Sequence, residues 1–202
     1  MFFGAGDFSR SASYLRIYGI LLTDTSLIVK CLLHWKASRS SAIGEKRKGV
    51  SHVDRRKRIS VFTDGSCIGN PGKGGYCAII RNGKTYRTIT GSVSRSTNNR
   101  MELTAVIEGL SAVPHGSAVT VFTDSGYVER AINEGRLALW QQNGWHRIKT
   151  GEPVKNADHW LVLCELIRKR NLDVEFVKLK VHRANFFNNR ADCLARMAAQ
   201  MA

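Results

Sequence analysis

Residues 59–80 read ISVFTDGSCIGNPGKGGYCAII, and the fold class follows by working outward from them. Ile59 to Asp64 is β-rich and alternating, which predicts a strand. Gly69, Pro71, Gly72, Gly74 and Gly75 predict a turn. Tyr76–Arg81 and Lys84–Ser92 read as two further strands, joined by the Asn82-Gly83 hairpin signal. The first strand is thus expected to end on a carboxylate, Asp64, just before a glycine-rich turn.

Downstream, Asn98 to Val113 is helical, with Leu103, Val106, Ile107 and Leu110 at helical spacing. Thr97 or Asn98 can cap its start. Val119–Thr123 reads as a short buried strand, followed by a helix from about Ser125. Asp158–Arg170 is helical, Leu172–Lys178 is a strand, and Asn188 to the end is a helix. This order predicts an α/β fold, a mixed sheet covered by helices. Upstream, Glu45 to Arg58 (EKRKGVSHVDRRKR) is charged and poor in apolar residues, as a solvated linker would be. A domain is therefore expected from residues 59 to 202, preceded by a basic, poorly ordered extension over 1–58. No internal repeat is evident.

The 202 residues carry 31 Lys+Arg against 16 Asp+Glu, a net charge of +15. Residues 1–58 hold 12 basic and 4 acidic side chains, and residues 59–202 hold 19 and 12. Such an excess fits a polyanionic partner and does not specify a fold. A hydrophobic content of 43% excludes a mostly disordered chain. Cys31, Cys67, Cys77, Cys164 and Cys193 form no C-x-x-C pair, so reduced thiols are expected rather than a disulfide framework or zinc knuckle. Arg16, Asp24 and Lys30 interrupt the apolar stretch Tyr14–Trp35, so no membrane span is expected. With Phe2, Phe3, Arg10 and several serines before it, this segment is compatible with organelle targeting, a helical appendage or an upstream extension. A cytoplasmic location is the expectation, with organelle targeting through residues 1–58 as the alternative.

Four acidic residues occupy unusual positions. Asp64 and Asp124 each end a strand, and parallel neighbours would present both at their carboxyl ends, where open α/β sheets bind ligands. Glu102 and Asp192 fall early in helices and belong to no evident apolar stripe. Converging carboxylates repel one another unless cations intervene. Oxygen ligands favour Mg²⁺ or Mn²⁺ over zinc. Two such ions about 3.5–4 Å apart drive in-line displacement at phosphodiesters. Taken singly, each carboxylate would also serve as a cap or a surface charge.

A resemblance decides between these readings. FTDGSCIGNPGKGGYCAII (Phe62–Ile80), STNNRMELTAVIEGL (Ser96–Leu110), VFTDSGYV (Val121–Val128), PVKNADHW (Pro153–Trp160) and NNRADCLARMAA (Asn188–Ala199) resemble, in order, the blocks of type 1 ribonuclease H. The resemblance implies a five-stranded mixed sheet flanked by helices. It implies endonucleolytic hydrolysis of the RNA strand of RNA–DNA hybrids, with little sequence specificity and leaving 5′-phosphate and 3′-hydroxyl ends. The catalytic and metal-binding carboxylates it implies are Asp64, Glu102, Asp124 and Asp192, holding two Mg²⁺ with Mn²⁺ as a substitute. His182, ten residues before Asp192, matches a mobile-loop histidine that transfers a proton or assists product release.

For the substrate, the resemblance implies Cys67 and Asn70 at the minor groove, and Asn156 and Trp160 at the DNA strand. Asn70, Asn98 and Asn99 supply amides suited to 2′-hydroxyls, and Thr97 with the helix start suits a phosphate. Leu137–Trp145 matches a substrate-binding protrusion, with Trp140 and Trp145 expected in its core. The chain departs from the family at Val181 and Ala184, where glycines are usual, in an apparent insertion at Lys178–Lys180, at Gly126, and in the polar run Gln141–Asn143. A hybrid duplex is the expected partner, the chain acting as a monomer with no stable protein partner. A catalytically dead hybrid-binding protein, or a separate binding module in residues 1–58, are the competing readings. Retention of all four carboxylates opposes the first, and no aromatic and glycine spacing supports the second.

Overall fold

The computed structural model describes residues 58–179 and 185–202. Five strands form one sheet in the order β3-β2-β1-β4-β5. They are β1 (Ile59–Gly69), β2 (Gly72–Asn82), β3 (Thr85–Ser96), β4 (Ala118–Thr123) and β5 (Asp173–Lys178). β1, β2 and β3 pair antiparallel as a meander, whereas β1–β4 and β4–β5 are parallel. The helices are α1 (Asn98–Ser111), α2 (Gly126–Asn133), α3 (Arg136–Gln142), α4 (Ala157–Lys169) and α5 (Phe186–Gln200). The expected five-stranded mixed sheet is therefore the observed one.

Strand alternation divides the apolar residues into two cores. Val61, Ala78, Ile80, Val119 and Val121 join Leu103, Val106, Ile107, Leu110, Leu163 and Trp160 in the larger core. Phe62, Cys77 and Ile79, on the opposite parity, pack with Ala191 and Ala195 of α5. Side chains one residue apart on a strand face opposite ways, so a central strand buried on both faces is apolar at both parities. Phe62 and Asp64 share a parity, as do Phe122 and Asp124, so both aspartates belong to the α5 face.

The glycine-rich stretch differs from its sequence reading. β1 does not end at Asp64 but continues to Gly69, and Gly69 pairs with Gly72. The turn is only Asn70-Pro71, whose peptide bond is cis. The neighbouring glycines serve packing instead of reversal. A Cβ at Gly65 would overlap the backbone of Met101 and Glu102, and one at Gly75 would overlap Ala195 and Ala199. Each glycine thus lets a helix lie directly on the sheet, with Ala191, Ala195, Ala198 and Ala199 keeping α5 close.

Arg58, read as part of the linker, is fixed to the sheet. Its guanidinium donates to Asp173 Oδ2 at 2.7 Å, Val119 O at 2.9 Å and Thr120 Oγ1 at 3.2 Å. Residues 1–57 lie outside the described residues. Among those described, no helix is long and apolar enough to cross a membrane.

Gly75→Ala forces backbone against backbone. It is expected to cost about 1–3 kcal/mol, by analogy with overpacked cores. A fall in the urea midpoint at unchanged slope measures this; an unchanged midpoint would contradict the close α5–β2 contact.

Candidate active site

β1 and β4 run parallel with Phe62 opposite Phe122, so Asp64 and Asp124 lie at matching depths two residues on. Glu102 comes from the other side, on α1. It sits in the second helical turn rather than the first, five residues into a helix that begins at Asn98. The contact at Gly65 seats this turn of α1 on β1. As a result Asp64, Glu102 and Asp124 each offer an oxygen within 4.8 Å of the others.

Two of the trio are buried, Asp64 and Glu102 at 6% exposed each, and Asp124 is partly exposed. Asp64 Oδ1 accepts the Gly65 N–H at 2.7 Å. Glu102 Oε1 is 3.5 Å from Asn98 Nδ2, and its Oε2 is buried with no hydrogen-bond partner among the described residues. Asp124 Oδ2 accepts from Asn188 Nδ2 at 3.5 Å. Asp192 stands beside the trio, more exposed, and is paired with Arg196 through Nε–Oδ1 at 2.7 Å. His182 lies outside the described residues.

Burial, followed by the charges of Asp124 and Asp192, pushes Asp64 up to about 8. Burial, then the charges of Asp64 and Asp124, also holds Glu102 well above the usual carboxylate range. These groups therefore keep protons at a pH where free carboxylates have lost them. An orphaned buried oxygen within an all-oxygen donor set fits a hard divalent cation, whose charge would remove this cost.

The expected substrate-contact residues divide into two groups. Asn70, Thr97, Asn98 and Asn99 gather at the start of α1. Asn70 Oδ1 accepts the Asn98 N–H at 3.3 Å, tying the β1–β2 hairpin to the helix. Thr97 occupies the cap position, but its side chain makes no capping bond. Cys67 Sγ lies 3.3 Å from both Gly72 O and Ser96 O, holding the hairpin base.

The second group centres on Tyr127, which sequence reasoning missed. Its hydroxyl receives Trp160 Nε1 at 3.0 Å and Asn156 Nδ2 at 3.1 Å, and donates to Lys155 O at 3.0 Å. Trp160 is 0% exposed, so the expected DNA contact is not open to it. Its place is in the core, against Trp140 at a centroid distance of 6.0 Å, where it holds Tyr127 and through it Asn156. Asn156 adopts φ 59°, in the left-handed region that asparagine tolerates.

Arg100, Asp158 and Asn188 also went unnoticed. Arg100 forks onto Asp158 at 2.7 and 3.1 Å, joining α1 to α4 two residues before Glu102. Burial alone would raise Asp158, but hydrogen bonds from His159 and Arg100 outweigh it and hold the carboxyl well below the usual range. Asn188 precedes Asp192 by four residues, a helical spacing that places both on one side of α5.

Fold and site together define an α/β protein with a buried acidic cluster suited to a divalent cation. The RNase H family model matches residues 56–200. The ribonuclease H of Chlorobium phaeovibrioides is 44% identical over 144 residues, covering 71% of this chain and 97% of the relative. That of Caldicellulosiruptor saccharolyticus is 43% identical, covering 69% and 94%. The chain belongs to the ribonuclease H family. Its fold is similar to that of LC9-RNase H1, described as a type 1 RNase H with the type 2 active-site motif, at TM-score 0.61 and 25% identity over 72% of this chain and 73% of that one. It is also similar to LC11-RNase H1, solved in complex with RNA/DNA hybrid, at TM-score 0.52 and 22% identity over 71% and 98%. The latter likeness is one of fold.

The raised Asp64 gives a stability prediction with a definite sign. Between the ordinary value of 3.8 and about 8, folded Asp64 holds a proton that the unfolded chain has released. Metal-free stability should therefore fall as pH rises through that window. Asp64→Asn is expected to raise the melting temperature in chelator at pH 8 by about 3 °C or more. The gain should be smaller at pH 4. Calorimetry at both pH values measures it, and a variant less stable than wild type at pH 8 would refute the assignment.

Proposed function

We propose that this protein is an endonuclease hydrolysing the RNA strand of RNA–DNA hybrids, with two divalent cations, Mg²⁺ or in its place Mn²⁺, held by Asp64, Glu102, Asp124 and Asp192. The observation that carries this reading is the convergence of Asp64, Glu102 and Asp124, the first two buried, with an oxygen from each within 4.8 Å of the others. Family membership supports it. When bound, such ions lower the pKa of the attacking water and stabilise the leaving oxygen, giving 5′-phosphate and 3′-hydroxyl products.

The chain's own residues position the duplex. Asn70, Asn98 and Asn99 offer amides to 2′-hydroxyls and so discriminate RNA from DNA. Thr97 and the start of α1 suit a phosphate of the DNA strand. Asn156, held by Tyr127, adds a polar contact on the same side. Contacts to phosphate and sugar carry no base code, so little sequence preference follows. Gly126 has no side chain to reach the groove, and Gln141–Asn143 leave the protrusion less basic, so hybrid affinity should be correspondingly weaker. His182 moves a proton or promotes product release, and the chain acts as a monomer, with the cytoplasm as its location.

The decisive experiment compares cleavage of hybrid, duplex RNA and duplex DNA with Mg²⁺, Mn²⁺ or chelator. Only hybrid should be cut, and only with metal. Asp64→Asn is expected to remove at least about 10³-fold of the rate while hybrid binding changes little. Retained cleavage by that variant would overturn the site. His182→Ala should slow multiple turnover without abolishing it. A rate equal to wild type would leave the histidine no role.

A further inference from the structure

Opposite the α1 side of the sheet, an aromatic cluster stands open to solvent. Phe187, in the first turn of α5, stacks on Phe62 with centroids 5.1 Å apart and an interplanar angle of 26°. Tyr86 of β3 meets Phe187 edge-on at 5.5 Å, and Phe186 does so at 5.3 Å. The Arg81 guanidinium lies 5.5 Å from the Phe187 ring centre, and that of Arg190 lies 5.9 Å from Tyr86. The rings are thus anchored from below, yet Phe186 is 66% exposed and Tyr86 49%.

The Phe186 and Tyr86 rings stand outside the second core, whereas Phe187 packs against it. Asn185 caps α5 by accepting from the N–H groups of Phe187 and Asn188 at 3.1 and 3.2 Å, so the Phe186 side chain has no part in starting the helix. Tyr86 sits on the edge strand, where a polar residue would meet water at no cost. Aromatic surface left in water beside two arginines is the arrangement on which unpaired bases stack.

Charge narrows the partner. Residues 72–96, the β2–β3 hairpin that carries Tyr86 and Arg81, include five basic residues and no acidic one. That favours a phosphate-bearing chain over an apolar protein surface. Bases in a duplex hide their faces in their own stack, so the rings can engage only unpaired nucleotides.

The cluster is also near the carboxylates. Phe187 and Asp192 share α5, five residues or about 7.5 Å of helix apart. Tyr86 pairs with Arg81, and Arg81 with Ser60, four residues or about 13 Å of strand below Asp64.

We propose that Tyr86, Phe186 and Phe187, with Arg81 and Arg190, form a stacking platform for a single-stranded nucleic-acid segment that flanks the hybrid. The proposal rests on the hybrid-ribonuclease reading for the duplex at the carboxylates. The platform would favour junctions, where hybrid gives way to unpaired strand, over continuous duplex.

The 202-residue protein is titrated in chelator with a blunt hybrid and with the same hybrid bearing an oligothymidine tail of about six nucleotides. In wild type the tail is expected to tighten binding about tenfold. Tyr86→Ala with Phe186→Ala should reduce that gain below about twofold, while affinity for blunt hybrid and its cleavage in Mg²⁺ stay unchanged. Tyr86→Phe should keep the gain. Arg81→Gln with Arg190→Gln, which removes the two guanidiniums beside the rings and leaves the rings in place, should weaken it. No gain in wild type, or a gain that survives the double alanine variant, would overturn the platform. So would a wild-type dimer in sedimentation that the double alanine variant dissociates, since the surface would then belong to a second copy. A wild type that gains from the tail but cuts no blunt hybrid in Mg²⁺ would sink the ribonuclease reading and leave the platform standing.

Discussion

Helix α1 rests on strand β1 at Gly65, and the site depends on that contact. Any larger residue would drive a methyl group into the backbone of Met101 and Glu102. With glycine there, the second turn of α1 sits level with Asp64, and Glu102 reaches the middle of β1, which it could not reach over a normal helix–sheet gap. That gap is set by side chains, and here none intervenes. The geometry of three carboxylates is therefore built from an absence of atoms one residue along from Asp64.

The same closeness makes the site electrostatically costly. Asp64 and Glu102 are buried beside Asp124 and Asp192, and both hold protons well above their ordinary range. Neutralisation is not supplied from within the trio. Arg196 pairs with the outlying Asp192, while Arg100, nearest in sequence to Glu102, is committed to Asp158. Among the described residues, five basic side chains and no acidic one stand elsewhere, on the β2–β3 hairpin. Such a separation leaves the negative cleft open to a mobile cation and turns the positive surface outward towards phosphates.

The sequence made the architecture legible because two periodicities carry it: alternation in the strands and the Leu103–Val106–Ile107–Leu110 spacing in α1. Asp64, Glu102 and Asp124 were legible for a different reason. Their places after β-rich runs and early in a helix singled them out, and the resemblance decided between a shared site and plain caps or surface charges, although β1 runs on past Asp64 to Gly69. The glycines after Asp64 were misread as a turn because glycine signals either chain reversal or close approach, and only tertiary packing separates the two. Trp160 was given an outward role by resemblance, although its indole lies at the centre of the larger core. Tyr127, Arg100 and Asp158 left no local pattern, since their bonds join residues about thirty to sixty positions apart.

These distant bonds show how the polar contacts are kept in place. Tyr127 takes hydrogen bonds from Trp160 and Asn156, and Arg100 reaches both Asn156 and Asp158. The start of α4 is thereby bound to α1, the helix that also carries Glu102 and the Asn98–Asn99 pair. A displacement of α4 cannot move Asn156 without straining Arg100, and Arg100 is two residues from Glu102. Groups suited to gripping a duplex and the carboxylate suited to cutting it therefore share one rigid element. Buried polar networks that are fully satisfied act in this way, fixing one arrangement over its neighbours. On the proposed reading, that fixed distance between the duplex contacts and the carboxylates would set which bond in the strand is cut.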